Sequence, residues 1–143
     1  MKAYVRKAAT LGSTFALAVS GLVLSTTPAS AATSCYASSC EGLDPSTTVC
    51  QNDAKTVATT DYPGVELRYS PTCRAAWARY SRGAAFSMNV TVERWNGSTG
   101  TERYRTYYSG NGAGVWTRMV NDAGLQARAC GRESDGWGCS GAY

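Results

Sequence analysis

The 143-residue chain contains no histidine and no isoleucine, only two phenylalanines and only three lysines. Without histidine there is no imidazole base, no histidine metal ligand and no catalytic triad built on one. Without isoleucine, the aliphatic core candidates beyond the leader reduce mainly to Val57, Val65, Leu67, Val90, Val92, Val115, Val120 and Leu125. Aromatic rings must therefore supply much of the remaining burial, and Trp77 is the aromatic most expected to be a core residue. Excess charge of one sign is missing as well. The formal charge is +4, but Lys2, Arg6 and Lys7 stand in the leader, so the chain after Ala31 carries 11 − 10 = +1. A broadly basic surface seeking nucleic acid is not expected. The one long apolar run is Leu11 to Leu24; as a helix it would span about 21 Å, short of the roughly 30 Å of a bilayer core. Its cationic start and the small residues Ala29-Ser30-Ala31 make Met1–Ala31 read as a signal peptide. The expected product is a soluble monomer, secreted or wall-associated, with no membrane segment in its mature form.

Cysteine is plentiful. The six follow the spacing Cys35-x4-Cys40-x9-Cys50-x22-Cys73-x56-Cys130-x8-Cys139. Paired Cys-x-x-Cys knuckles are absent and no histidine can complete a mixed zinc site, so three disulfides in an oxidising compartment are the simpler reading. Six cysteines allow 15 connectivities. Proximity favours Cys130 with Cys139 and leaves Cys35, Cys40, Cys50 and Cys73 to pair among themselves. No cofactor is expected.

Two regions follow the leader. Residues 32–54 hold three cysteines and few apolar side chains, and read as a disulfide-pinned N-terminal lobe without a core of its own. Within it, Asp44 followed by Pro45 is a helix-start signal. Residues 55–143 read as the β domain, one domain together with the lobe. Val65, Leu67 and Tyr69 alternate with Glu66, Arg68 and Ser70, and after a turn at Ser70-Pro71-Thr72 a return strand carries Cys73, Ala75 and Trp77, the alternative being a helix from Cys73 to Tyr80 with Cys73, Trp77 and Tyr80 on one face. Phe86 to Trp95 and Thr101 to Tyr108 form a hairpin through Asn96–Gly100. Ser109–Gly114 is a flexible connection, and Val115–Val120 with Leu125–Cys130 a last hairpin through Asn121–Gly124. The fold class is all-β: a compact antiparallel sandwich or barrel of six to seven short strands.

Cys40-Glu41-Gly42-Leu43-Asp44-Pro45, Cys50 with Asp53-Ala54, the run Val65 to Arg79 (VELRYSPTCRAAWAR) and Ala127-Arg128-Ala129-Cys130 resemble a family of small secreted actinobacterial domains of unknown function. The resemblance covers nearly the whole chain after the leader. It implies an exported sensing or binding module, since such domains also follow helix-turn-helix and membrane-spanning segments, and it implies no activity, substrate or catalytic residue.

Three constellations could carry function. Tyr104, Tyr107, Tyr108 and Trp116, with Arg103 and Arg105 among them, flank the glycine-rich connection, as aromatic rims that hold sugars or peptides do. Arginines dominate the cations, and Arg68, Arg74, Arg94, Arg103, Arg105, Arg118 and Arg128 form either an anionic-ligand face or a solvated face of Arg/Glu pairs and cation–π contacts. Glu41, Asp44, Asn52 and Asp53 are oxygen donors that calcium would take, but their spacing is not that of the twelve-residue calcium loop and the cap reading is preferred, with no metal. No nucleophile elbow or Ser-x-x-Lys motif occurs. The leading expectation is a non-enzymatic, disulfide-stabilised binding module for an extracellular protein or cell-wall polymer. The alternative is an inhibitor of a secreted protease using the loop at Pro71, and the remotest is a glycoside hydrolase using two of Glu66, Glu93 and Glu102.

Overall fold

The computed structural model describes residues 31–61, 64–81, 86–133 and 136–143. The leader up to residue 30 lies outside the described residues. Three short 3₁₀ turns, Ala37–Cys40, Pro45–Thr47 and Val49–Asn52, make the lobe. Asp44 caps the second by accepting from the Ser46 backbone N–H at 2.9 Å, and Pro45 opens it. The start signal is thus real but produces a single 3₁₀ turn.

Among the described residues nine strands follow: β1 (Lys55–Thr59), β2 (Val65–Ser70), β3 (Ala75–Tyr80), β4 (Met88–Trp95), β5 (Gly100–Tyr108), β6 (Val115–Trp116), β7 (Val120–Asn121), β8 (Gln126–Glu133) and β9 (Gly136–Cys139). They form two antiparallel sheets. One runs β1-β2-β3, with β6 and β7 both along the far side of β3; the other runs β5-β4-β8-β9. The fold is an all-β sandwich with a disulfide-pinned lobe. The bridges are Cys35–Cys40, Cys50–Cys73 and Cys130–Cys139, the last joining register partners on β8 and β9.

Between the sheets lie Val65, Leu67, Val90, Val92 and Val120, with Tyr80 and Tyr108 in ring contact at 4.5 Å between centroids. Aromatic rings fill the volume that isoleucine would occupy elsewhere. The sheets approach closely at Gly131, where an added Cβ would sit 2.9 Å from Val65 Cγ2. A second core lies on the opposite face of β3, where Ala75 and Trp77 pack with Cys40, Cys50, Cys73 and Met119, flanked by Leu43 and Val49. The lobe therefore lacks an independent core but shares one with the back of β3, which is buried on both faces.

Two expectations about the last hairpin are corrected. Val115–Val120 and Leu125–Cys130 do not pair with each other: β6 and β7 join β3, β8 joins β4, and Asn121–Gly124 carries the chain from one sheet to the other. Between β6 and β7 the chain leaves the ladder. Thr117 Oγ1 accepts the Ala78 N–H, while Met119 exchanges backbone hydrogen bonds with Gly42 and Leu43 and enters the lobe core. Leu125, expected inside, is 40 % exposed on the crossover. Strand β9 extends an apparent turn region into a further pair.

Chain-entropy reasoning ranks the bridges by the segments they close, 23, 9 and 5 residues apart for Cys50–Cys73, Cys130–Cys139 and Cys35–Cys40. Replacing both cysteines by alanine should cost roughly 3.5, 2.5 and 2 kcal/mol respectively. Urea denaturation of the three double variants tests the order; equal losses would contradict it.

Candidate functional site

The outward face of the first sheet is built from cross-strand rows. Glu66, Arg79 and Trp116 follow one another across β2, β3 and β6, and Arg68 stands opposite Trp77. Alternation on β2 dictates this, because Val65 and Leu67 turn to the core and leave Glu66 and Arg68 outside. Arg79 pairs with Glu66 at 2.8 Å, and Arg68 donates to Thr56 Oγ1 at 2.8 Å and the Ala54 carbonyl at 2.6 Å. Burial alone would raise the Glu66 carboxyl, but hydrogen bonds from Arg79 and Thr56 and the charges of Arg79 and Arg68 hold it below its ordinary value. Where Pro45, Ser46 and Gln51 overhang this face, a cleft of about 230 Å³ opens beside Arg68, Arg79 and Trp116.

Trp116 is 41 % exposed yet fixed, because its indole Nε1 donates to Asp44 Oδ1 at 3.0 Å. Desolvation pushes the Asp44 carboxyl upward, but Ser46, Trp116 and the charge of Arg118 together hold it lowered. On the other side of the indole a second cleft, about 320 Å³, is lined by Tyr104, Arg105, Thr106 and Arg118 as well as Asp44. Arg118 donates to the Gly42 carbonyl at 2.7 Å. Five of the described arginines are ion-paired: Arg79 with Glu66, Arg94 and Arg103 with Glu41, Arg105 with Glu102 and Arg128 with Glu93. Among the described residues, Arg68, Arg74, Arg118 and Arg132 form no ion pair, and of these Arg68 and Arg118 stand in the two clefts flanking Trp116.

Behind the second cleft, Glu41 ties the lobe to both sheets. It takes Arg94 at 2.8 Å and the Asn121 N–H at 2.6 Å on one oxygen, and Arg103 at 3.3 Å and the Tyr104 hydroxyl at 3.5 Å on the other. Beside it Asp122 is buried on the crossover, its backbone N–H donating to the Arg74 carbonyl and its Oδ1 without a hydrogen-bond partner among the described residues. Burial pushes its carboxyl up to about 7 against the opposing charges of Arg94 and Arg74.

Of the rim expected from sequence, Tyr104, Arg105 and Trp116 meet in the second cleft. Arg103 is used by Glu41, and Tyr107, 59 % exposed, lines neither cleft. Tyr108 is corrected: it is a core ring against Tyr80, and its hydroxyl accepts the Gly112 N–H, tying down the glycine-rich connection. Period-two alternation puts Tyr108 on the inward face with Tyr104 and Thr106, a signal that was available. The oxygen donors do not converge, since Glu41 serves the arginines, Asp44 caps and holds Trp116, and Asp53 accepts from Ser70 and Thr72. Glu93 and Glu102 are cross-strand partners, but Glu66 belongs to the other sheet, not to an adjacent strand. The clefts' Arg68 and Arg118 were visible only as members of an arginine-rich set and Arg79 only as the end of the Val65 to Arg79 run, because their convergence depends on the lobe's position.

The Asp122 value lies above the ordinary 3.8, so between about pH 4 and 7 the native state keeps a proton that the unfolded chain has lost. Its contribution to stability is full below pH 4 and disappears as pH rises through 7. Asp122→Asn should therefore be more stable than the parent at pH 8 by about 1 to 3 kcal/mol, the gap closing below pH 4. Denaturation midpoints at the two pH values check this; a constant gap would refute it.

No curated protein and no solved structure matches the chain. A family described as protein of unknown function (DUF2690) matches residues 38–130, a span that takes in the last two lobe turns, Trp116 and both clefts, and Cys130 at its end. It covers well over half of the chain, which accordingly belongs to that family of unknown function.

Proposed function

We propose that the protein is an exported, disulfide-stabilised binding module that seats an anionic cell-wall polymer across Trp116, with Arg68 and Arg118 meeting its charges on either side. The observation that carries this is a half-exposed indole locked by Asp44 between two clefts, each holding one arginine that makes no ion pair among the described residues. A fixed aromatic plate offers stacking area at small ordering cost, and a guanidinium without an ion pair adds positive charge for a carboxylate or phosphate. Three disulfides support a place outside the cell. No helix of the described residues is long and apolar enough to cross a membrane. The reading is of binding without turnover, because Glu66, Glu93 and Glu102 are each committed to an arginine.

The protease-inhibitor alternative draws less support. The turn at Pro71 is rigid, with Asp53 accepting from Ser70 and Thr72, but Arg74 sits at φ 49° and its carbonyl is taken by Asp122. That is a closed turn, whereas peptides docked by strand addition run extended.

Co-sedimentation of the oxidised protein with purified cell walls tests the proposal. Trp116→Ala should weaken binding at least about tenfold, or 1.4 kcal/mol, with the fold intact by circular dichroism. Arg68→Ala and Arg118→Ala should weaken it and flatten its salt dependence. Walls stripped of anionic polymer should release the protein. Binding unchanged in Trp116→Ala, or no sedimentation at all, would overturn the reading.

A further inference from the structure

The two lobe bridges are packed against each other. The four sulfurs of Cys35, Cys40, Cys50 and Cys73 all lie within 4.8 Å of one another, and Cys35 Sγ is 3.4 Å from Cys50 Sγ across the two bridges. In a tetrahedral tetrathiolate centre with metal–sulfur bonds of about 2.3 Å, neighbouring sulfurs stand about 3.8 Å apart. The distances between the two bridges already bracket that spacing. Side-chain rotation at each opened bridge is the remaining adjustment.

We propose that, once both bridges are reduced, Cys35, Cys40, Cys50 and Cys73 form a closed tetrathiolate site for a thiophilic divalent cation of the zinc class. The four ligands come from separate places: the N-terminal segment, two of the 3₁₀ turns and the β2–β3 turn. The cation would therefore cross-link the same parts that the disulfides do. Cys40, Cys50 and Cys73 are fully buried among Trp77, Met119 and Leu43, so water has little access and no open coordination position is left. The lobe has no independent core, and binding energy at such a site would appear as folding energy. The sequence spacing lacks zinc knuckles because the sulfurs converge through the fold and not along the chain.

The chemistry balances. Each bridge takes two electrons and two protons from a dithiol, which leaves as its own disulfide. The four thiols then release their protons to solvent as the cation binds, with no further redox change. Softness favours sulfur-loving cations over calcium or magnesium.

The test uses the whole mature chain, reduced anaerobically with a phosphine that supplies the same electrons, and titrated with cobalt(II) as the probe. The expected result is one cobalt per chain retained on gel filtration, with the intense d–d absorption of a tetrahedral thiolate complex. That spectrum is lost in Cys35→Ser and in Cys50→Ser and kept in Cys130→Ser. In the unsubstituted chain, zinc should slow alkylation of the four lobe cysteines at least tenfold more than that of Cys130 and Cys139. Failure to retain cobalt, a spectrum that survives Cys35→Ser, or protection centred on Cys130 and Cys139 would each overturn the proposal.

Discussion

Everything in this fold depends on β3 being covered on both of its faces. The inward face, Ala76, Ala78 and Tyr80, packs against the second sheet; the outward face, Ala75 and Trp77, is covered by a lobe of three 3₁₀ turns. Short turns with few apolar residues bury too little area to hold such a position by the hydrophobic effect, which yields only about 25 cal/mol per Å². The Cys50–Cys73 bridge supplies the constraint from the unfolded side, by limiting how far the lobe can stray from the start of β3. Met119 completes the arrangement by leaving the β6–β7 edge to join the sulfurs.

The clefts are a by-product of that covering. Because the lobe stops short of the β2–β3 end at Glu66 and Arg79, Pro45 and Ser46 overhang an uncovered stretch of sheet. Glu41 and Asp44 then connect the overhang to both sheets, one through Arg94 and Asn121, the other through Trp116. A carboxylate satisfied by several donors positions its surroundings more firmly than an exposed pair does. The paired arginines at the surface serve mainly that positioning, and Arg68 and Arg118, without an ion pair among the described residues, are what distinguish the clefts from an ordinary solvated sheet.

Alternation made β2, β4 and β5 legible from residue types alone, as the apolar positions Val65, Leu67, Val90 and Val92 turned inward. The arginine-rich surface was legible too, mostly as Arg/Glu pairs and as Arg128 over Trp95. What escaped was tertiary. A four-residue link such as Asn121–Gly124 suits a hairpin and a sheet-to-sheet crossover equally, and only the competition of β3 for Val120 decides between them. Likewise Trp116 was recognisable as a rim residue, but its partner Asp44 is 72 positions away and no local pattern joins them. The site is assembled from the lobe, β2, β3, β5 and β6, so its composition follows from where the bridge places the lobe.

Hydrogen exchange of the folded protein tests that dependence most directly. In a chain with alanine at positions 50 and 73, amides of the 37–52 and 117–119 segments should lose protection severalfold or more, while those of β4 and β8 keep theirs. Unchanged protection across the lobe in that variant would contradict the account.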